Sequence, residues 1–310
     1  MTEYLPEGGI INSAANKAAL QNISSLQEAY RNGSLLEARA LVCNAAHDLL
    51  LDLNGTRAVI PRIEGAIGIE SGETRDIAII SRVNKPVCFR ITGFEHDGEG
   101  RPVAICSRRA VQQDCIKNYL DKLTAGDVIP AAITHMESFG CFADIGCGIS
   151  SLLPIDSISV SRIGHPSDRF RSGQKIFAVV SGRDESGRIC LSHKELLGTW
   201  EENAAAFSPG ETVSGIIRSV EDYGVFVELT PNLAGLAEPC PMLHAGQQAS
   251  VYVKSLIPEK MKIKLIIVDA FDGESPPSPL CYYITEGHID YWQYSPDHCR
   301  KSISTIFENR

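Results

Sequence analysis

The feature of this sequence that most constrains its fold is a short motif that occurs twice. Residues 138–146 contain an aromatic residue, a glycine, one spacer and a second aromatic residue, followed by alternating apolar positions. Residues 222–229 repeat this pattern, and Gly210 precedes the second copy by the same distance as Gly126 precedes the first. Alternation with a period of two predicts β-strands. The repeat in the same context indicates that a strand-rich module has been duplicated.

The aromatic residues of the motif are Phe139 and Phe142 in the first copy and Tyr223 and Phe226 in the second. Residues i and i+3 of a regular strand point to opposite faces. The glycine beside the first ring allows a bulge or a sharp coil, so both rings can lie on one exposed face. Such a pair can stack nucleic-acid bases at roughly 1–3 kcal/mol per base. Ordinary core packing is the alternative, and the repetition disfavours it.

Composition limits the classes of function. A chain of 310 residues with 44% hydrophobic residues predicts several folded modules rather than a disordered chain. The formal charge of −9 excludes a broadly basic surface, so any nucleic-acid binding must use local patches and stacking. The acidic, proline-broken start predicts neither a signal peptide nor a membrane anchor. We therefore expect a cytoplasmic protein without a membrane partner.

Neither a catalytic nor a metal site is predicted. The ten cysteines form no C-x-x-C motif and no Cys/His spacing typical of zinc. The histidines give no H-E-x-x-H motif, and the chain has no P-loop and no G-x-S-x-G. We expect free thiols, no cofactor and no enzymatic activity.

The N-terminal part divides into a helical segment, 1–33, and a first strand-rich module, 34–110. The spacing of apolar residues predicts one helix over 12–31, capped by Asn12 or Ser13. Residues 77–80 are predicted to form one of the strands of the module. The position of the aromatic motif is occupied by residues 47–53, which lack both rings and the glycine. This module is therefore predicted to be a degenerate copy, whose arginines either contact RNA or form an ordinary solvated surface.

Two complete modules follow, each preceded by a helical linker. The predicted order is linker 111–124, module 125–195, linker 196–208 and module 209–269. Each module has five predicted strands with an excursion between the third and the fourth, which is the pattern of an OB-fold barrel. The excursion is long in module 125–195 and is cut to residues 238–246 in module 209–269. The fold class is therefore mainly β, with three tandem barrels as semi-independent beads. Residues 270–310 are predicted to be a linker and an aromatic-rich tail with a hairpin across residues 282–294 and a final helix that begins near Ser295. The tail either adds a stacking surface or caps the third barrel.

The complete modules resemble the S1 domain, the RNA-binding OB module named after a bacterial small-subunit ribosomal protein. The resemblance rests on Gly126-Asp127, the Phe139-Gly140-x-Phe142 motif, Ser172-Gly173-Gln174-Lys175 and the stretch from Gly187 to Lys194. It is strong over 125–195, good over 209–269 and only architectural over 35–110. The tail also fits short clostridial-type S1-domain proteins. The histidine usual in the third strand of the family is replaced by Pro154 in one module and by Glu238 in the other.

The resemblance implies RNA contacts for one cation and two aromatic residues in each complete module. Lysines beside the second aromatic pair extend this set. The candidate RNA-binding residues are Phe139, Phe142, Arg188, Tyr223, Phe226, Lys262, Lys264 and Lys254.

The function implied is that of a non-catalytic protein that binds single-stranded RNA or mRNA, in the setting of the small ribosomal subunit and translation. A docking adaptor is the alternative, in which the barrels bind a protein of the ribosome or of an RNA-processing complex and RNA contact is incidental. An RNA-processing enzyme is disfavoured, because the chain has no separate catalytic domain.

Overall fold

The computed structural model describes residues 4–273 and 280–308. Within them the chain forms three closed five-stranded barrels, few helices and one small C-terminal sheet, which confirms the predicted fold class. The chain divides into two compact units, one made of residues 1–123 and 144–150 and the other of 124–143 and 151–310. No helix in the described ranges is long and apolar enough to cross a membrane.

The first unit begins with two short helices rather than the single predicted helix. Helix α1 spans Ala14–Ala19, and its N-cap is Ser13, whose side chain accepts the Asn16 N–H. Helix α2 spans Ile23–Arg31. The break has a local cause, because Asn22 is extended (φ −159°) and its side chain accepts the Ser25 N–H, so a new helix starts there.

The first barrel is built from strands joined in the order β1-β2-β3-β5-β4. Its strands are β1 (Leu36–Cys43), β2 (Leu49–Leu53), β3 (Thr56–Ile60), β4 (Pro86–His96) and β5 (Pro102–Ser107). The strand predicted at 77–80 is wrong, because Ile77–Ile80 forms the short helix α3. A brief apolar run does not distinguish strand from helix, and here Ile79 alone turns fully inward to the barrel core. Helix α4 (Arg108–Asn118) follows the barrel.

The second and third barrels have the same strand connectivity as the first. The second contains β6 (Val128–Glu137), β7 (Gly140–Asp144), β8 (Ser150–Pro154), β9 (Lys175–Arg183) and β10 (Ile189–Ser192). The third contains β11 (Thr212–Glu221), β12 (Gly224–Thr230), β13 (Leu233–Ala237), β14 (Gln248–Ile257) and β15 (Lys262–Phe271). In each barrel the third and fifth strands run parallel and the other strand pairs are antiparallel, as in an OB fold.

The second and third barrels share one core, so they are packed more closely than the semi-independent beads predicted from their helical linker. One hydrophobic core contains Val179 of the second barrel, Trp200 of the linker helix α5 (Trp200–Ala204) and Val227 of the third barrel. Burial of one continuous apolar cluster favours a single packed body over separate modules.

The C-terminal segment packs into the same core instead of standing apart. Trp292, Tyr294 and Phe307 are buried there. Strand β16 (Tyr291–Gln293) pairs with β17 (Ser304–Ile306), so a small hairpin exists. It does not lie across residues 282–294 as predicted, and its second strand lies where the final helix was predicted. The helix is absent from the described residues 280–308 because the Ser295 hydroxyl accepts the Ile303 N–H and closes a loop instead of capping a helix. Most of the predicted linker, residues 274–279, lies outside the described residues.

Candidate nucleic-acid interface

The aromatic pair of the second barrel lies on its outer surface. Phe139 occupies the turn before β7 and is 54% exposed, and Phe142 lies on β7 and is half-buried. The ring centroids are 6.2 Å apart and the ring planes meet at 86°, an edge-to-face contact. The exposed face of Phe139 is therefore available for stacking and is supported from the side by Phe142.

The third barrel repeats this arrangement. Tyr223 is 66% exposed in the turn before β12, and Phe226 is half-buried on β12. Their ring centroids are 6.1 Å apart at an interplanar angle of 85°. The two copies of the motif thus have nearly the same geometry, as expected for a duplicated element.

The glycine between the rings is required by a close approach of the next strand. A Cβ on Gly140 would lie 2.5 Å from the carbonyl oxygen of Leu153, and a Cβ on Gly224 would lie 2.5 Å from that of Ala237. Any side chain at either position would push the neighbouring strand away. The glycine therefore holds the hairpin closed beneath the aromatic pair, which is a tighter constraint than the bulge predicted from the sequence.

Strand register places lysines beside the aromatic pair of the third barrel. Phe226 pairs with Leu236, and Leu236 pairs with Lys264 on β15. Lys262 lies two residues earlier on the same face of β15, and both lysines are exposed. Lys254 is exposed on β14. It precedes Ser255, which pairs with Lys264, and the register of the two strands shifts at this point. An aromatic residue, a leucine and a lysine thus form one row across the outer face.

The equivalent row of the second barrel ends in a cysteine. The Ile155 N–H donates to the Phe139 carbonyl, and this register sets Leu152 opposite Phe142. Leu152 pairs in turn with Cys190 on β10. Cys190 therefore occupies the position that Lys264 has in the third barrel. The leucine in the middle of each row is an outward apolar residue that the sequence did not single out.

Arg188 lies in a turn that fixes its position through a carboxylate. Its guanidinium Nε lies 2.9 Å from Asp184 Oδ2, while the backbone N–H groups of Arg188 and Ser186 donate to Asp184 Oδ1. These hydrogen bonds lower the pKa of Asp184, and the bond from the Arg188 backbone N–H has the largest effect. Apart from this contact, the Arg188 side chain is exposed and can reach a ligand. Asp184 stays close to it, so the positive charge that a ligand meets is partly compensated.

The same turn occurs in the first barrel, without the aromatic pair. Asp97 accepts the N–H groups of Glu99 and Arg101 and lies 2.9 Å from Arg101 Nε. Its pKa is lowered mainly by the bond from the Arg101 backbone. The row on the outer face here contains Asp52, Arg57 and Val103 in place of the rings. Both turns have the sequence pattern Asp-x-x-Gly-Arg, at 97–101 and at 184–188. The sequence prediction identified two turns but not the pattern that they share.

The third barrel has the aromatic pair but a different turn between its last two strands. Residues Pro258–Lys260 form one turn of 3-10 helix, and Met261 follows in the left-handed region (φ 48°). Among the described residues, no carboxylate lies within ion-pair distance of Lys262 or Lys264. Each barrel thus keeps a different part of one ancestral surface.

Both complete modules have another residue at the position of the histidine that is usual in the third strand. Pro154 is half-buried at the end of β8, and Glu238 is exposed just after β13, so neither supplies the donor that a histidine would give. The described part of the chain has no group of three His, Cys, Asp or Glu side chains that could hold a metal ion.

A family model of the S1 RNA binding domain matches residues 122–194, which cover the second barrel. The small ribosomal subunit protein bS1 of Leuconostoc lactis is 27% identical over 268 residues, which are 80% of this chain and 58% of that protein. The bS1 protein of Staphylococcus aureus (strain COL) is 28% identical over 304 residues, 91% of this chain and 75% of that protein. The bS1 homolog of Bacillus cereus is 30% identical over 194 residues, 58% of this chain and 48% of that protein.

The chain therefore spans about half the length of the Leuconostoc lactis and Bacillus cereus proteins. The matched region contains the aromatic pair of the second barrel and the turn that holds Arg188. Residues 122–194, which form the second barrel, therefore match the S1 RNA binding domain family.

Proposed function

We propose that this protein binds single-stranded RNA through the outer faces of its second and third barrels, without catalysing a reaction. One observation carries the proposal: an exposed aromatic ring, braced edge-to-face by a second ring, lies on the outer surface of both barrels. Exposed aromatic rings beside positive charge are the usual platform for unpaired bases.

The proposed roles follow the order of the rows. Phe139 and Tyr223 stack the bases, and Phe142 and Phe226 hold those rings in position. Around the third barrel, the phosphates meet Lys262, Lys264 and Lys254. Arg188 supplies the cation on the second barrel. The aromatic ring is tolerant of base identity, since every base has a π-face, so binding is expected to show little sequence preference.

The net charge of −9 limits the electrostatic share of binding. Few phosphates are neutralised, so the slope of log K against log salt concentration should be on the order of −1 to −3, at ~0.7 per phosphate contact. A slope near −8 would require a large basic surface and would contradict this description of the site.

Mutation of both platforms tests the proposal directly. Fluorescence anisotropy with a labelled oligouridylate should show that Phe139→Ala together with Tyr223→Ala weakens binding by at least tenfold, because roughly 1–3 kcal/mol is lost per stacked base. Tyr291→Ala is the matched control, since Tyr291 is an equally exposed aromatic residue outside the barrels. Binding by the double variant at the parental affinity would exclude the stacking platform.

The setting we propose is cytoplasmic, on the small ribosomal subunit and its mRNA, in line with the names of the bS1 relatives. The protein should co-sediment with small subunits, and mild ribonuclease treatment should release it if RNA is the main tether.

A second candidate function is that of a protein-docking adaptor, and the first barrel is the observation that favours it. Its outer row is ionic rather than aromatic, and Arg57 and Arg101 both lie beside Asp97. A pull-down of ribosomal proteins that survives both ribonuclease treatment and loss of Phe139 and Phe142 would support the adaptor.

A further inference from the structure

We infer that barrels two and three and residues 280–308 form one rigid unit, which holds the two aromatic pairs at a fixed separation and selects RNA strands long enough to reach both. This inference rests on the proposed function, because it concerns how the same two surfaces act together.

A buried ion pair locks the two barrels to each other. Arg169 lies in the excursion of the second barrel, and its guanidinium donates to both carboxylate oxygens of Glu228 on β12 of the third barrel, at 2.8 and 2.5 Å. The two side chains are 1% and 2% exposed. Arg218 donates to the same carboxylate from the other side, at 2.7 Å. This ion pair is buried and bidentate, and Arg218 also neutralises the carboxylate. It therefore has a single geometry, unlike a solvated surface pair.

The lock is adjacent to the stacking site. Glu228 follows Phe226 by two residues on β12, so both side chains leave the same face of the strand about 7 Å apart. The second barrel therefore covers the outer face of β12 immediately beyond the aromatic pair. Any change in the angle between the barrels would move the edge of the RNA-binding surface of the third barrel.

Asn232 is a second fixed point between the barrels. Its side-chain oxygen accepts the Val160 N–H from the second barrel, and its side-chain amide donates to the carbonyls of Lys194 and Gly198. Asn232 is fully buried. Its own carbonyl accepts the Tyr294 hydroxyl from the C-terminal segment. One asparagine thus joins both barrels, the linker and the tail.

The C-terminal segment crosses from one barrel to the other. The hydroxyl of Tyr282 lies 2.9 Å from His193 Nε2 at the end of the second barrel. His288 Nδ1 lies 2.7 Å from Asp127 Oδ1 at the start of that barrel. Tyr294 and Phe307 are then buried in the core shared with the third barrel. The segment is a strap across the junction, so its buried aromatic residues Trp292, Tyr294 and Phe307 serve packing rather than base stacking.

The strap and lock make Arg169, Glu228 and Asn232 positioning residues. When two sites are rigidly held, the second base-binding event is intramolecular and incurs little further loss of freedom. A long strand should therefore bind far more tightly than a strand that reaches only one barrel. Flexibly linked barrels would give a smaller gain in affinity, because binding at the second barrel would also have to restrict the motion between the barrels.

The test separates the lock from the covalent linker in the full chain. One variant has Gly-Gly-Ser inserted between Ser208 and Pro209, which are both exposed in the linker. The other is Arg169→Ala, with Arg171→Ala as an exposed control two residues away. Spin labels on non-cysteine handles at Ser186 and Glu259 report the distance between the barrels. Anisotropy with short and long oligouridylates reports the gain in affinity with RNA length.

We expect one narrow distance distribution for the parent, the insertion variant and Arg171→Ala, with the ratio of long- to short-RNA affinity unchanged within twofold. Arg169→Ala should broaden the distribution and lower that ratio at least tenfold while short-RNA binding is kept. A broad distribution in the parent, or one broadened by the insertion, overturns the rigid unit even if RNA binds. A narrow distribution with no binding of either RNA overturns the proposed function and leaves the rigid unit standing. The insertion result decides the matter even if Arg169→Ala does not fold.

Discussion

The second and third barrels carry the same aromatic pair but differ in the charge beside it. In the second barrel Arg188 is paired with Asp184, and the row that starts at Phe142 ends in Cys190. In the third barrel Lys264 stands at the end of the row and Lys262 follows on the same face, with no carboxylate in reach among the described residues. The second barrel is therefore suited mainly to stacking, and the third to stacking combined with phosphate contact.

This difference shows which part of the surface the duplication kept. The hairpin with its glycine is constrained by the close approach of Gly140 to Leu153 and of Gly224 to Ala237. The last turn is exposed, so it could diverge into two electrostatic solutions without loss of the fold. The first barrel diverged in the other direction, because it keeps the Asp97–Arg101 turn and lacks the rings.

The largest expected effect concerns the ion pair that joins the compared barrels. Glu228→Ala leaves Arg169 buried without its partner, so we expect a loss of roughly 3–5 kcal/mol in the free energy of unfolding. Urea unfolding followed by tryptophan fluorescence measures it, since Trp200 and Trp292 both lie in the shared core. Asp184→Asn removes the charge of the exposed pair of the second barrel but keeps an oxygen that accepts the turn N–H groups, so it should change stability little. Equal effects of the two variants would show that the junction is not a buried lock.

Acid should weaken the second barrel through His193, whereas the third barrel has no buried histidine among the residues that the structure describes. His193 is buried, with its ring nitrogens facing the Ile158 carbonyl and the Tyr282 hydroxyl, and burial lowers its pKa to about 4. The unfolded chain binds a proton near pH 6.5 and the folded chain does not, so stability is full above that pH. The contribution of His193 should fall by ~1.4 kcal/mol per pH unit between pH 6.5 and about 4. Asp144 contributes with the opposite sign over this window, because burial raises its pKa to about 7 and the folded chain then takes up the proton.

Urea unfolding at pH 7.0, 6.0 and 5.0 measures this slope. The difference in unfolding free energy between the parent and His193→Gln should change in favour of the variant as the pH falls through this window, because only the parent has the group that takes up a proton on unfolding. A parental slope that survives in the variant would assign the acid sensitivity to other groups.

Single aromatic substitutions test whether the two platforms are equivalent. Phe139→Leu and Tyr223→Leu should each weaken binding of a long oligouridylate by roughly 1–3 kcal/mol, because each removes one stacked base. Phe139→Tyr and Tyr223→Phe retain a ring and should bind like the parent in anisotropy titrations. If only one of the two leucine variants loses affinity, a single barrel carries the RNA and the comparison between them has no functional meaning.

The sequence was sufficient to predict the barrels and the aromatic hairpins, since both depend on local patterns. Alternation, glycine position and the repeat at Tyr223 specify strands and turns without reference to distant residues. The predictions that failed were local ambiguities. Residues 77–80 form a helix because an apolar run of four fits either state, and the helix predicted near Ser295 is a loop because its hydroxyl bonds to Ile303.

The lock between the barrels could not be predicted from the sequence. Arg169 and Glu228 are separated by 59 positions, and each looks like an ordinary surface charge in its own segment. Asn232 likewise resembles a turn residue. Such contacts have no periodicity, because they depend on how two finished barrels meet. The linkers between predicted modules favoured independence for the same reason, and the candidate RNA contacts themselves stay predictions.

The smallest expected effect distinguishes the two charge arrangements directly. Lys262→Ala should flatten the slope of log K against log salt concentration by about 0.7, the contribution of one single-strand phosphate contact. Arg188→Ala should flatten it by less, because Asp184 already compensates that charge. Asp184→Asn removes the compensation and should steepen the slope toward the value expected for one further contact. Anisotropy titrations between about 50 and about 300 mM salt, over which the Debye length shortens from roughly 14 Å to roughly 6 Å, measure all three. An unchanged slope in Lys262→Ala with a flattened one in Arg188→Ala would reverse the assignment of stacking and phosphate contact to the two barrels.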